Sequence, residues 1–480
     1  MTGALPLHER SAGDLAAAVR ARDITARDLL DHHLERIDRL NPAINAFVFI
    51  DAVRARSVAD DIDRRIAAGD PVGPLAGVPL GVKELEMVEG WPHTRASTAF
   101  RDRIASRTST MTARLLAAGA VPVGLTAAPE QGLLFHTTSI LHGTSRNPWA
   151  LDRTPGGSSG GAAAALVAGL VPLATGSDSG GSIRLPSAFC GCVGVKGTFG
   201  RVSRAPNYIG AADFTHYGPL ARCVVDAARY LDVVCGADER DPTSLPAPRP
   251  GFTEAIEQLD LRGRRVGFVA DNGIAPCDPS VVGVVRQAAD ALLGAADLHE
   301  LSPFRLDLPD PTQHGGAPAL YMLDTNPAEA AASAEALANL LETKGAGPVI
   351  EAAFGHLDLS LPALQGAIAA RNVLYERLAV AFDEVDLLLM PTAPVVAFGA
   401  EGPVPTSVGG REIGSHAAVT YTSPFNLSGH PAVSVPAGLV DGLPVGLQIV
   451  ARRHEDTLAL AAAAVLERVR PWPTLAPYAR

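Results

Sequence analysis

Aromatic residues are scarce in this chain, 5% of 480 positions, and charged residues reach only 19%, so the interior has to be assembled from Ala, Val, Leu and Ile around close backbone contacts. Hydrophobic residues still make up 47%, which excludes disorder and collagen-like repeats. Cysteine is sparse and odd in number: Cys190, Cys192, Cys223, Cys235 and Cys277 are too few for a disulfide scaffold and read as buried thiols in a reducing compartment. Basic residues are the minority, 40 Lys and Arg against 51 Asp and Glu, and the net charge of −11 leaves no footprint for nucleic acid or an anionic membrane. No uncharged apolar run has the length of a membrane span, and the start of the chain lacks a basic segment followed by an apolar one. A cytoplasmic protein acting on a small molecule is expected.

What the chain does have is turns. Its 47 glycines and 38 prolines imply short elements rather than a coiled coil or a helical solenoid. Ser11 with Asp14, and Thr25 with Asp28, resemble N-caps with an acidic partner three residues on, so helices begin there. Leu30, Leu34 and Ile37 give the second helix one apolar stripe, and Asn41-Pro42 is expected to end it. A third helix runs from about Ala52 to Ala68 and stops at Gly69, so N-terminal helices occupy about 11–69.

The grammar then changes to short apolar strands: Val78 to Val82, Ala120 to Leu125, Val171 to Thr175, Val266 to Val269, Leu387 to Met390, Val433 to Val435 and Val445 to Val450. Helical segments lie between several of them, for example Met111 to Ala118, Ala162 to Ala168, Val281 to Leu293 and Leu458 to Val469. That alternation is the signature of a large, mostly parallel sheet covered by helices on both faces. The alanine-rich region from Pro327 to Ala370 carries little strand signal and reads as a helical insertion, about 320–380, over one edge of the sheet.

The chemistry-bearing stretch runs from Thr154 to Gly200, where two serine-glycine clusters, Gly156 to Gly161 and Ser179 to Ser182, bracket a helix and a strand. Each cluster lets backbone N–H groups approach a ligand, and each opens a helix whose first N–H groups have no internal partner. A phosphate loop is excluded because Ala162, not Lys, follows Gly160 and Gly161. Gly156 to Gly160 matches the G-x-S-x-G nucleophile elbow of α/β-hydrolases, with Ser158 as nucleophile, but the polar, proline-marked residues before it do not make a buried strand. No metal or cofactor is called for: the thirteen histidines are scattered, Cys190-x-Cys192 lacks a second pair, and His32 and His33 point to different faces of one helix.

These clusters, with the Pro186 to Arg204 segment that follows, resemble the amidase signature family of serine hydrolases. Gly77 to Lys83 is similar to that family's catalytic-lysine strand. Further matches are Arg146 to Trp149, Gly218 to Arg222, Asp386 to Pro394, Gly429 to Ala432 and Pro444 to Gln448, spanning nearly the whole chain. The two serines stand 24 residues apart, which also fits. The resemblance implies a single α/β/α domain around one large mixed sheet, acting on amides as a monomer or homodimer. It also implies Ser182 as nucleophile, Ser158 as bridging serine after a cis peptide bond, and Lys83 as general base. Backbone N–H groups of Ser179, Gly180, Gly181 and Ser182 would hold the oxyanion. Asp178 and Arg184 would brace that loop, with Ser159 and Ser177 as supporting donors. Burial would keep Lys83 neutral, so activity should rise toward alkaline pH.

Two places depart from the common family pattern. Glu84-Leu85 follows the lysine where many members have Asp-Asn, and Leu125 to Glu130 replaces a more polar run. Both bear on substrate preference, because these segments help shape the site. Met87, Leu133, Leu134, Phe135, Tyr208, Phe214 and Tyr217 would favour an apolar or aryl acyl group, in an amide, ester or carbamate. The family's glutamine amidotransferase branch, which releases ammonia from glutamine for a partner, stands as an alternative.

Overall fold

Serine and threonine side chains start the chain's first two long helices. Ser11 accepts a hydrogen bond from the Asp14 N–H at 3.0 Å, and Thr25 accepts from the Asp28 N–H at 2.9 Å. The computed structural model describes residues 5–206, 213–309, 330–347, 350–351, 360–408, 410–412, 414 and 417–479. Its opening elements are α1 (Ala12–Ala21), α2 (Ala26–Ile44), β1 (Phe47–Ile50), α3 (Ala52–Ala68), β2 (Pro79–Lys83), α4 (Thr110–Ala117) and β3 (Val121–Thr126). Helix α2 runs past Pro42, contrary to the expectation that Asn41-Pro42 ends it. The turn comes at Asn45, whose φ is 49°, while the Asn41 side chain caps the exit by accepting from the N–H groups of Ala46 and Phe47, each at 2.8 Å.

A hairpin follows, β4 (Thr138–Ser139) and β5 (Gly143–Thr144), then α5 (Gly160–Val167), β6 (Leu173–Asp178), α6 (Arg184–Cys190), β7 (Val193–Lys196), β8 (His216–Ala221), α7 (Val224–Val234), α8 (Phe252–Gln258), β9 (Arg265–Phe268), α9 (Pro279–Ala296) and β10 (His299–Glu300). In the alanine-rich region the described residues form α10 (Ala330–Glu342) and α11 (Leu361–Glu384). The chain closes with β11 (Leu387–Pro391), the short pair β12 (Ser407–Val408) and β13 (Arg411–Glu412), α12 (Ser423–Leu427), β14 (Ala432–Val440), β15 (Leu443–Ala451) and α13 (Asp456–Val469). Among the described residues, no helix is long and apolar enough to cross a membrane.

One mixed sheet of eleven strands joins these parts in the order β1-β3-β2-β6-β8-β7-β14-β15-β11-β9-β10. Parallel pairing is confined to β3-β2-β6 and to β11-β9-β10, and the other six pairings are antiparallel, more than the β-α-β reading suggests. The reason is the centre of the sheet, where β8, β7, β14 and β15 carry Gly, Pro, His and Lys among their apolar residues. Of these, β7 and β8 are absent from the sequence reading.

Two apolar layers cover the sheet. Val78, Leu80 and Val82 face one, with residues of α4, α7, α9 and α13, while the other layer gathers residues of α2, α3 and α5. Because side chains alternate along a strand, Gly81 and Lys83 lie on the second face, and a Cβ at Gly81 would meet Phe47 and Val171 of that layer. The parallel pairing of β2 with β6 brings the carboxyl ends of both strands to one edge, the usual position for a site in an open α/β sheet. Helix α5 starts at that edge, and its Gly161 would place a Cβ 2.3 Å from the Ala127 backbone nitrogen. Gly161→Val is therefore expected to destabilise the fold by at least roughly 1–3 kcal/mol, read as a lowered urea midpoint at an unchanged slope.

Candidate functional site

Lys83 is the last residue of β2 and is fully buried. Its backbone N–H donates to Thr175 Oγ1 at 2.8 Å, fixing the strand end against β6. Its amine meets three oxygens: Ser158 Oγ at 2.8 Å, Ser177 Oγ at 2.9 Å and the Ser177 carbonyl at 3.2 Å. No carboxylate bonds it among the described residues. Burial lowers this amine to about 7, against a weaker opposite pull from Glu86 and Asp178. A second fully buried lysine, Lys196, donates instead to the carbonyls of His430 and Gly197.

Ser158 follows a cis peptide bond from Gly157 and is also buried. Turns, bends and isolated bridges precede it rather than a strand, so the nucleophile-elbow geometry is absent. Gly157 is required by close approach: a Cβ there would lie 2.5 Å from the Leu134 carbonyl oxygen. The next residue, Ser159, donates its N–H to the Ser182 carbonyl at 3.1 Å, and that single backbone bond ties the two serine-glycine loops together. Ser159 Oγ donates to the Ser177 carbonyl at 3.4 Å. Ser182 itself is partly exposed, unlike Lys83 and Ser158.

The loop from Ser179 to Ser182 is held from beneath by Asp178. One carboxylate oxygen accepts from the Gly181 N–H at 2.7 Å, and the other accepts from the Ile183 N–H at 3.1 Å. The Arg184 guanidinium grips the same carboxylate in a fork, Nε to Oδ2 at 3.0 Å and Nη2 to Oδ1 at 2.9 Å, with both side chains at 0% exposure. Arg184 continues to Gln448 Oε1 at 2.7 Å and Asn426 Oδ1 at 2.5 Å, and Asn426 Nδ2 returns to Asp178 at 2.8 Å. Burial alone would raise the Asp178 carboxyl. The Arg184 charge and hydrogen bonds, with Asn426, outweigh it and hold the group well below the usual carboxylate range.

The four residues expected from the sequence to offer oxyanion donors differ in how their N–H groups are used. The Gly181 N–H already belongs to Asp178, and Gly181 is buried, whereas Ser179, Gly180 and Ser182 are partly exposed and their N–H groups meet no acceptor among the described residues. A Cβ on Gly180 would meet no described atom within 4 Å, so that side of the loop is open. On the closed side Gly181, with φ at 139°, would bring a Cβ to 2.3 Å from Thr422 Oγ1.

The apolar residues expected to line a pocket divide. Leu134, Phe214 and Tyr217 are packed into apolar core clusters, Met87, Leu133 and Phe135 stay partly exposed, and Tyr208 lies outside the described residues. Glu86, three residues beyond Lys83, escaped the sequence reading because an isolated glutamate ordinarily signals surface. It is fully buried, its N–H donates to the Lys83 carbonyl at 2.8 Å, and among the described residues its carboxyl has only Ser109 Oγ as a side-chain partner, at 3.4 Å. Burial pushes that carboxyl up to about 8, against the pull of Lys83 and Ser109. The Asn426 and Gln448 contacts escaped too, since they lie more than 240 residues from Arg184. Arg184→Leu leaves Asp178 buried without its ion partner and is expected to cost about 3–5 kcal/mol in urea unfolding. A loss under about 1 kcal/mol, the range of an exposed pair, would show that water reaches the carboxylate.

Comparison with known proteins points the same way. The Amidase family profile matches residues 28–460. An acylamidase of Rhodococcus erythropolis is 35% identical over 475 residues, covering 97% of this chain and 96% of that protein. A glutamyl-tRNA(Gln) amidotransferase subunit of Roseiflexus sp. (strain RS-1) is 36% identical over 501 residues, covering 98% of both. The crystal structure of a bacterial aryl acylamidase of the amidase signature family superposes with a TM-score of 0.89 at 30% identity, covering 98% of each chain. On the family match and these near full-length similarities, the chain belongs to the amidase signature family.

Proposed function

We propose that this protein is a free-standing, cytoplasmic amide hydrolase, one amidase domain over residues 1–480, which works through an acyl-enzyme on Ser182. The observation that carries the reading is the set of oxygens around the Lys83 amine. A neutral amine has two N–H donors and one lone pair. The Ser177 carbonyl can only accept, and if Ser177 Oγ takes the second N–H of the neutral amine, the lone pair is free to accept from the Ser158 hydroxyl at 2.8 Å. That is the protonation state a general base needs.

In this mechanism Ser182 Oγ attacks the amide carbonyl while its proton passes to Ser158 Oγ, whose own proton moves to Lys83 Nζ. The carbonyl oxygen gains negative charge, stabilised by the N–H groups of Ser179, Gly180 and Ser182. Each such donor is worth about 3 kcal/mol in comparable sites. Collapse breaks the carbon–nitrogen bond, and the proton on Lys83 returns through Ser158 to the leaving amine. Water then attacks the acyl group by the same relay, releasing the acid and restoring the Ser182 hydroxyl. Asp178 and Arg184 take no part in the proton transfers; they hold the donors in place. The acylamidase relatives support amide substrates, and the open side at Gly180 supports entry of a small acyl group there.

The expected outcome for Ser182→Ala is loss of turnover and of covalent labelling by a sulfonyl fluoride, with label in the wild-type chain confined to the Ser182 peptide by mass spectrometry. Label on Ser158 would transfer the nucleophile to that residue, and full labelling of the variant would end the assignment. Turnover of simple amides by the purified chain alone separates a hydrolase from a partner-dependent amidotransferase component. The pH dependence follows from Lys83. Its proton is present below about 7 and lost above, so kcat/KM is expected to rise through pH about 7 toward an alkaline plateau. An optimum on the acid side of that midpoint would exclude Lys83 as the base.

A further inference from the structure

Beside Lys83, the chain carries a second device at the same strand end. Glu84 is buried, with 1% exposure, and its backbone N–H donates to the Thr126 carbonyl at 3.0 Å, which fixes where its side chain starts. One carboxylate oxygen, Oε1, takes three donors from two different loops. Thr94 Oγ1 donates at 2.5 Å, the Ala96 N–H at 3.2 Å, and His142 Nε2, from the turn between β4 and β5, at 2.6 Å. The other oxygen, Oε2, is buried and has no partner among the described residues. Such a carboxylate is costly to bury unless the bonds it does make matter.

Those bonds hold an uncommon backbone. Arg95 and Ala96 both have positive φ, 51° and 58°, which side chains with a Cβ rarely adopt and which persists where surrounding contacts over-determine it. The Arg95 carbonyl in turn accepts from the N–H of Gln131, itself at φ 55°, at 2.9 Å. The following residue, Gly132, lies against the site: a Cβ there would stand 3.4 Å from Ser158 Oγ and 2.8 Å from Leu85 Cδ1. The chain of contacts runs from the Glu84 carboxylate through the Thr94–Ala96 turn to the Gln131–Gly132 turn, which lies beside the bridging hydroxyl.

We propose that Glu84 is a positioning residue: its carboxylate clamps the Thr94–Ala96 and His142 loops and, through Gln131–Gly132, confines the Ser158 hydroxyl between Lys83 and Ser182. The proposal rests on the assignment of Ser158 and Ser182 made above and extends it to a residue that meets no reacting atom. Glu84 is one of the two places where the sequence leaves the common family pattern. A glutamate at this position reaches one methylene further than aspartate, enough to span two loops at once.

The test is the rate constant of Ser182 labelling by a sulfonyl fluoride, followed by mass spectrometry across pH 5 to 10, with the labelled fraction at completion measured separately. In Glu84→Gln the rate constant is expected to fall by about 10- to 100-fold, the loss that displaced catalytic groups commonly bring, while the completed fraction and the pH midpoint set by Lys83 stay where they are in the wild type. A purely structural role would lower the completed fraction or the melting temperature and leave the rate constant of the folded protein alone. Should Glu84→Gln not fold, Thr94→Val and His142→Ala, each removing one donor, carry the same readout and are each expected to slow labelling. Unchanged rate constants in the folded variants overturn the proposal while leaving the Ser182 assignment standing. A wild-type chain that takes no label at Ser182 removes both.

Discussion

The site depends on keeping one amine out of water. Lys83 ends a strand whose neighbours are apolar, and the sheet delivers its amine into a space where, among the described residues, only hydroxyl and carbonyl oxygens bond it. An ammonium would lose hydration there without gaining a bonded counter-ion, so the neutral form is favoured. Glu86 fits the same condition. It lies buried within three residues of the amine, and burial favours its neutral form as well, so near neutrality the two groups do not face each other as a full ion pair. The arrangement trades stability for basicity, as functional sites commonly do.

A very different treatment of charge lies directly behind the Ser179–Ser182 loop. Asp178 and Arg184 are equally buried, yet every polar atom of the pair is used, and the ion pair is geometrically closed by Asn426, Gln448 and backbone N–H groups. Coulombic attraction and hydrogen bonds here outweigh desolvation, whereas at Lys83 desolvation wins. The contrast explains how one small region can hold a rigid anion and an amine of lowered basicity side by side. It also explains the occupied Gly181 N–H, which bonds Asp178 and so holds the loop's shape.

Much of the architecture was legible because its signals are local. The caps at Ser11 and Thr25, the Gly69 stop, the apolar runs of β2, β3, β6, β9, β11, β14 and β15 and the alanine-rich helices between them each depend on a few adjacent residues. The strand order and the antiparallel middle of the sheet were not, since no local pattern tells Val193–Lys196 or His216–Ala221 which neighbours they will meet. In the site, the two serine-glycine loops and Lys83 stood out by composition, and their roles came by resemblance to a family. The Glu84 clamp, the buried Glu86 and the reach of Arg184 to Asn426 and Gln448 were hidden for one reason. Polar side chains far apart in sequence or ordinarily solvated become structural only once the fold removes water from them.

Among the described residues, the hydrogen bond that joins the two serine-glycine loops is made of backbone, from the amide of Ser159 to the carbonyl of Ser182. On the proposed mechanism, truncating the Ser158 or the Ser182 hydroxyl would take away reactivity while leaving this backbone bond in place. If the proposed function holds, such an inert chain would serve as a capture reagent, retaining an uncleaved amide from a mixture of cell metabolites long enough for the bound molecule to be weighed and named.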